Sequence, residues 1–431
     1  MKDVANELAL RSWKVFPGGS LGEYNLPREL SVVLSRGKGA RVYDTTGKEF
    51  IDLTMGWGTV ILGHGYQKIY EAVKRQAELG SNFSYVSNPA LELAEELVRA
   101  VPCAEKVRFC ASGTEATMYA VQFARALKGR EKIVKFEGAY HGANEFGTIS
   151  LFPQKLLNFP KANPTSAGIT KATCDDVLIA PYNDLETTSR IIEEHSSEIA
   201  AVIVEPLHRC TAPVEGFLEG LRDITRKQDI LLIFDEVMTG FRLAYGGAQD
   251  YYGVIPDLAA LGKALGGGYP VGAVVGRSDI LDLCNEANLG QERYVWFAST
   301  LGGNPVTAAA ALATLEELRN PGTYQRLFAV GEKLRSGFRS ILSDLGIEAQ
   351  VLGDGPLCAL SFTKEKVVDY RTGFRSNRAK ERAFKLGLFR NGIFLNPLST
   401  KFYLSLAHGD EEIDIILSAA RKVLKDIYFS N

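Results

Sequence analysis

Two side chains have the type and surroundings to do chemistry. Lys263 lies in "DLAALGKALGGGYPVG", among small and apolar residues and just ahead of Gly266–Gly268. An amine among such neighbours sheds its proton readily, because loss of solvent penalises the ammonium, and the free amine attacks carbonyls. Asp235 closes the apolar run "ILLIFDE". A carboxylate behind Ile233 and Phe234 is expected to be partly buried and to need a cation or a set of donors. The interval between Asp235 and Lys263 suits one helix or loop and one further short strand, so both can reach the same edge of a sheet. Taken alone, each has a plainer explanation. Asp235 would cap a helix or form a structural ion pair, and Lys263 would reach solvent from a helix end.

Two more stretches add to the set. In "CASGTEATMYA", Ser112, Gly113 and Thr114 stand between a strand and a helix. Free N–H groups and the helix dipole favour an anion there, such as one phosphate. The alternative is an ordinary N-cap with Glu115 in the first turn. In "EGAYHGANEFG", Tyr140 and His141 occupy a glycine-flanked loop after the strand-like "EKIVKF". An aromatic at a sheet edge can stack on a flat ring, the alternative being a core tyrosine. Together the four pieces offer a phosphate site, an aromatic platform, a carboxylate and an imine-forming amine. That is the set expected for pyridoxal 5′-phosphate, with its aldehyde on Lys263 as a Schiff base, its phosphate at the helix start and its ring nitrogen on Asp235. Nucleotide motifs give no competing reading. No G-x-G-x-x-G opens a helix after a strand, and Gly262-Lys263 is followed by Ala264 rather than Ser or Thr.

The elements that must position these residues follow from the apolar patterning. "KVRFC", "EKIVKF", "EIAAVIVEP", "ILLIFDE" and "VGAVVGR" read as strands, separated by helical stretches such as "GTEATMYAVQFARALKG" and "GFLEGLRDITRKQD". Near-continuous Ile/Val/Leu runs alternating with helices predict an α/β fold with a mostly parallel sheet covered on both faces. After "NPVTAAAALATLEELRN" the pattern shifts to a smaller α+β lobe ending in the helix "EEIDIILSAARKVLKDIYF". The expected organisation is residues 1–55 contributing to the small domain, 56–318 forming the large domain, and 319–431 completing the small one. A net charge of −2 gives no electrostatic footprint for nucleic acid or an anionic membrane. No apolar run spans a bilayer, and charges interrupt the N-terminal stretch where a signal core would lie. Six scattered cysteines without a C-x-x-C pair suggest reduced thiols and a cytoplasmic setting. Five dispersed histidines give no metal-ligand spacing.

The order of the motifs carries a resemblance. "GWGTVILGHGY", "VRFCASGTEA", "KFEGAYHG", "PYNDLE", "VIVEPL", "GFLEGLRDI", "LLIFDEVMTGFRLAYGGAQ", "PDLAALGKALGGGYPVGA" and "STLGGNP" follow one another through the middle of the chain. The sequence resembles class III, fold-type I, pyridoxal-phosphate-dependent aminotransferases. Within that class it is most similar in motif to glutamate-1-semialdehyde 2,1-aminomutases. The resemblance implies that Lys263 forms the Schiff base and Asp235 holds the ring nitrogen. It implies Val237 on one ring face, Tyr140 on the other with His141 beside it, and Ser112, Gly113 and Thr114 on the phosphate. Glu205 of "VEP" is implied near the phenolic oxygen. Thr300 is implied to reach the phosphate held by a neighbouring subunit, in a homodimer with a composite site.

On the substrate side the chain differs from that pattern. Aminomutases carry an Asn-Ser-Pro-Val-Arg segment after a Pro-Gly-Gly; here "FPGG" leads into "SLGEYNLPREL", which sets Arg28 further along. "VEPLHRCTAPVEG" places His208 and Arg209 where small residues are expected. These differences favour an aminotransferase moving an amino group from an amino acid or amine donor to a carbonyl acceptor. Arg28 and Arg209 are the candidates for gripping a carboxylate. The alternative is exchange of the amino group within one substrate, as in an aminomutase. A racemase or lyase on the same scaffold is a third reading. A cofactor-free assembly protein is a fourth, against which the joint presence of Lys263 and Asp235 argues.

Overall fold

Seven apolar runs form the central sheet of the computed structural model, which describes residues 2–429 and their side chains from residue 7. They are β1 (Lys106–Cys110), β2 (Lys132–Phe136), β3 (Val177–Ala180), β4 (Ile199–Val204), β5 (Leu231–Glu236), β6 (Leu258–Gly262) and β7 (Gly272–Gly276). Their spatial order is β1-β7-β6-β5-β4-β2-β3. The run β3-β2-β4-β5-β6 is parallel, and β7 alone runs against its neighbours β6 and β1. Every residue of β3 to β7 is buried, which is why these strands lack polar alternation. Helix α1 (Gly113–Lys128) starts where Ser112 Oγ accepts the Glu115 N–H at 3.2 Å and stops at Gly129, whose φ of 60° only glycine adopts without cost. Its apolar face, Ala116, Ala120, Phe123 and Ala124, is buried in the main core with Ile133, Ile203, Ile233 and Val274. Burying one such aliphatic side chain contributes about 1.5–3 kcal/mol.

The sheet belongs to one of two compact units, formed by Lys68–Pro321 with the short stretch Val368–Arg371. The other unit combines the chain up to Gln67, Gly322–Val367 and the chain from Thr372 onward. In it, Leu34–Lys38, Arg41–Asp44 and Glu49–Asp52 form an antiparallel meander, and Ile393–Phe394 adds alongside Glu49–Asp52 in parallel. A second small sheet joins Gln350–Leu352, Leu357–Ser361 and Phe402–Tyr403. Helices Thr323–Asp344, Arg378–Arg390 and Asp410–Phe429 complete its core around Phe338, Phe384, Leu388 and Ile416. The architecture is therefore the α/β sheet domain with an α+β companion drawn from both chain ends. Among the described residues, no helix is long and apolar enough to cross a membrane.

Candidate active site

Strand register brings the predicted residues to one edge. β5 and β6 are parallel neighbours, with Asp235 opposite Ala260 and Glu236 opposite Leu261. Asp235 and Lys263 therefore emerge at the same carboxyl edge, where open α/β sheets bind ligands. β4 lies on the other side of β5, with Val204 opposite Phe234, so Glu205 comes out next to Asp235. Lys263 follows β6 directly and has φ 43°, a left-handed backbone that side chains other than glycine adopt at a cost of about 1–2 kcal/mol.

Three short residues close the distance between α1 and this edge. A Cβ on Gly113 would stand 2.6 Å from Val237 Cγ1, so only glycine lets Val237 pack there. A Cβ on Gly262 would lie 3.3 Å from the same methyl and 3.6 Å from Gly113 Cα. The residue before Lys263, the residue two after Asp235 and the first residue of α1 are thus in mutual contact. Gly142 presses on the same helix start, since its Cβ would meet Thr114 Cα at 2.7 Å. The N–H groups of the first turn precede the first intrahelical bond, and Ser112, Gly113 and Thr114 supply them.

Asp235 is buried, and its oxygens are engaged separately. Oδ1 accepts the Val237 N–H at 3.1 Å, and Oδ2 lies 2.8 Å from His141 Nδ1. His141 is fully buried, and its Nε2 has no hydrogen-bond partner among the described residues. Its carbonyl accepts the Thr117 hydroxyl of α1 at 2.6 Å, which ties the loop to the helix. The Tyr140 N–H donates to Glu205 Oε1 at 2.8 Å, and the Arg209 N–H donates to Glu205 Oε2 at 3.1 Å. Arg209 also donates from Nε to the Gly138 carbonyl at 2.9 Å and sits over the Phe152 ring at 5.2 Å, while its buried Nη2 has no acceptor among the described residues.

Lys263, Asp235, Val237, Glu205, Tyr140, His141, Ser112, Gly113, Thr114 and Arg209 therefore form one neighbourhood. Thr300 is exposed, and its carbonyl accepts from Asn82 Nδ2 at 3.1 Å. Arg28 belongs to the other unit, where it is exposed with its guanidinium 5.9 Å from the Trp13 ring. Two ionic features escaped the sequence reading. Lys135 on β2 is buried beneath the Tyr140 loop. Glu137 is gripped by Arg371 through Nε at 2.7 Å and Nη2 at 3.2 Å. A lysine inside an apolar strand was a visible signal for the first, whereas Arg371 is too distant in sequence to be linked to Glu137.

The donor set fits a phosphorylated pyridine aldehyde. The close-packed glycine at the start of α1 leaves backbone N–H groups open to a phosphate, a buried acid stands at the strand edge for a pyridinium, and a lysine follows the adjacent strand. Among the described residues, no group of His, Cys, Asp or Glu could hold a metal ion.

Comparison with known proteins bears on the same residues. The family model for class-III aminotransferases matches residues 25–424. A glutamate-1-semialdehyde 2,1-aminomutase from Thermomicrobium roseum is 40% identical over 419 residues, 96% of each chain. An omega-transaminase of known structure from Sphaerobacter thermophilus is 37% identical and superposes with a TM-score of 0.92, covering 98% of this chain and 97% of its own. A structure described as a transaminase with PLP bound is 28% identical with a TM-score of 0.89, covering 99% and 98%.

Proposed function

This chain belongs to the class-III aminotransferase family, and from that premise we propose that it moves an amino group between neighbouring carbons of one small substrate, as a 2,1-aminomutase does. Its fold is that of fold-type I enzymes, and its cofactor is pyridoxal 5′-phosphate. The observation that carries the reading is full-length identity of 40% to a chain of that activity, on a sheet edge that unites Lys263 and Asp235. The sequence reading put transfer between two molecules first; the curated relative favours exchange within one. Transfer between a donor and a carbonyl acceptor remains the second reading, supported by the 37% identity to an omega-transaminase.

The roles of the residues follow from their places. Bound at this edge, the cofactor supplies an aldehyde that condenses with amines and a ring that takes up the electron pair left when a substrate proton departs. Lys263 holds the aldehyde and then moves that proton with its amine. Asp235, set by His141 and Val237, keeps a proton on the ring nitrogen. Ser112, Gly113 and Thr114 would hold the phosphate with hydroxyl and backbone donors, and Val237 and Tyr140 would pack against the ring. Glu205, which accepts the Tyr140 and Arg209 N–H groups, would stand near the cofactor's phenolic oxygen. Arg209 has an N–H-bearing nitrogen without an acceptor among the described residues, which suits it to a substrate carboxylate. Two copies of the chain pair, and Thr300 serves the phosphate of the partner copy.

The deciding experiment supplies the purified, cofactor-loaded protein with glutamate-1-semialdehyde alone, and separately with an amine donor and a 2-oxo acid. We expect a product of unchanged mass from the single substrate. Turnover only when donor and acceptor are both present would replace this reading with the second. Lys263→Ala is expected to lower turnover by about a thousandfold or more, because both amine attack and proton movement are lost. Wild-type rates in that variant would defeat both readings.

A further inference from the structure

One buried cation has no part in the chemistry above. Lys135 is fully buried, on a strand whose next residue, Phe136, is equally inaccessible. Its Nζ reaches four backbone oxygens of the loop that follows: Ala139 at 3.1 Å, Phe146 at 3.3 Å, Gly147 at 3.1 Å and Ile149 at 2.6 Å. An ammonium has only three protons, so all of them are committed to this loop. Removing a charge from water is costly, and charge-assisted hydrogen bonds to these carbonyls offset that cost. An apolar side chain here would remove the charged donor from all four carbonyls, of which Phe146 and Gly147 also accept the Ile149 and His141 N–H groups at 3.3 Å. The arrangement is therefore justified by what it holds in place.

What it holds is the segment that faces the site. The four carbonyls run from Ala139 to Ile149 and gather the loop around one point. Tyr140 and His141 lie inside that span, and the His141 N–H shares the Gly147 carbonyl at 3.3 Å. We propose that Lys135 is a positioning residue: by collecting these four carbonyls it fixes the loop backbone and so seats His141 Nδ1 against Asp235 Oδ2. Burial lowers the Lys135 pKa to about 7; the Arg209 charge adds to the fall, and Glu205 and Asp235 oppose it. The catalytic consequence rests on the proposed cofactor role of Asp235. The placement of His141 does not.

The test uses Lys135→Met, which keeps an unbranched stem and removes the donors, and Lys135→Gln, which keeps two N–H groups. In the full chain stripped of cofactor, the imidazole N–H resonance of His141 is identified by its absence in His141→Gln. We expect it to shift or vanish in both Lys135 variants, with amide exchange across residues 139–149 faster by about tenfold or more. In protein loaded with pyridoxal phosphate, we expect a moved pH midpoint for the cofactor absorbance. We also expect kcat to fall about a hundredfold while KM changes by less than about threefold. An unchanged His141 resonance in a folded variant overturns the proposal, whatever happens to stability. Should Lys135→Met fail to fold, Lys135→Gln is judged by the same criteria. A wild-type chain that takes up no cofactor would refute the proposed function, and the His141 resonance would still decide this one.

Discussion

Asp235 spends one oxygen on a backbone N–H and the other on His141, so neither its position nor its rotation is left free. An amide in its place keeps the shape but cannot stabilise a positive ring nitrogen. We therefore expect Asp235→Asn to retain cofactor, visible as absorbance, while kcat falls by about a hundredfold or more. His408 illustrates the opposite treatment of a titrating group. Its ring is fully buried, its Nδ1 accepts the Ser405 N–H at 3.1 Å, and its Nε2 lies 3.1 Å from the Asp52 carbonyl. Burial lowers its pKa to about 4. Because the folded value lies below the unfolded one, the neutral ring's contribution is fully present above about pH 6.5. As pH falls towards 4 the unfolded chain takes up the proton first, and up to about 3 kcal/mol is lost. Denaturant unfolding measured at intervals between pH 7 and 4 should show that fall, and His408→Gln should flatten it.

At the scale of elements, the start of α1 depends on Gly113 lying under Val237. Gly113→Val would force helix and strand edge apart, and we expect pyridoxal phosphate to bind about tenfold or more weakly in a chain that still folds. Fluorescence titration of the stripped protein measures this. The Glu137–Arg371 pair fastens the Val368–Arg371 stretch to the sheet unit, helped by Arg371 donating to the Leu157 carbonyl at 2.5 Å and lying over the Phe159 ring at 3.9 Å. Arg371→Leu strands a buried carboxylate and should cost about 3 kcal/mol in equilibrium unfolding. The elements nearest the site were mostly legible, because strands buried on both faces must be Ile/Val/Leu-rich, as "AAVIV" and "LLIF" are. β6 was less so: "LAALG" is built from helix formers, and only its burial between β5 and β7 makes it a strand. Asp235, Lys263 and the start of α1 could be read because each sits at a change of pattern. The His141–Asp235 contact and the Arg371 clasp could not, because they join residues whose proximity only the strand order creates.

For the molecule as a whole, the sheet unit exposes large apolar side chains on two stretches. Phe83, Tyr85 and Val86 lie on one and Trp296 and Leu301 on the other, with Tyr85 86% and Trp296 65% exposed. Asn82 and Thr300 join the two stretches by a hydrogen bond. Such a surface suits a second copy of the chain. On the proposed pairing of two copies, Tyr85→Glu with Trp296→Glu should shift the sedimenting mass from two chains to one and lower activity. The pairing of Ile393–Phe394 with Glu49–Asp52 has a consequence for biosynthesis. A ribosome delivers Ile51 early and Ile393 near the end, so this pairing cannot form until every strand of the seven-stranded sheet has been made. We therefore expect a chain ending after Arg371, where the sheet unit is whole, to carry a protease-resistant centre within Lys68–Pro321 and a cleavable segment before it.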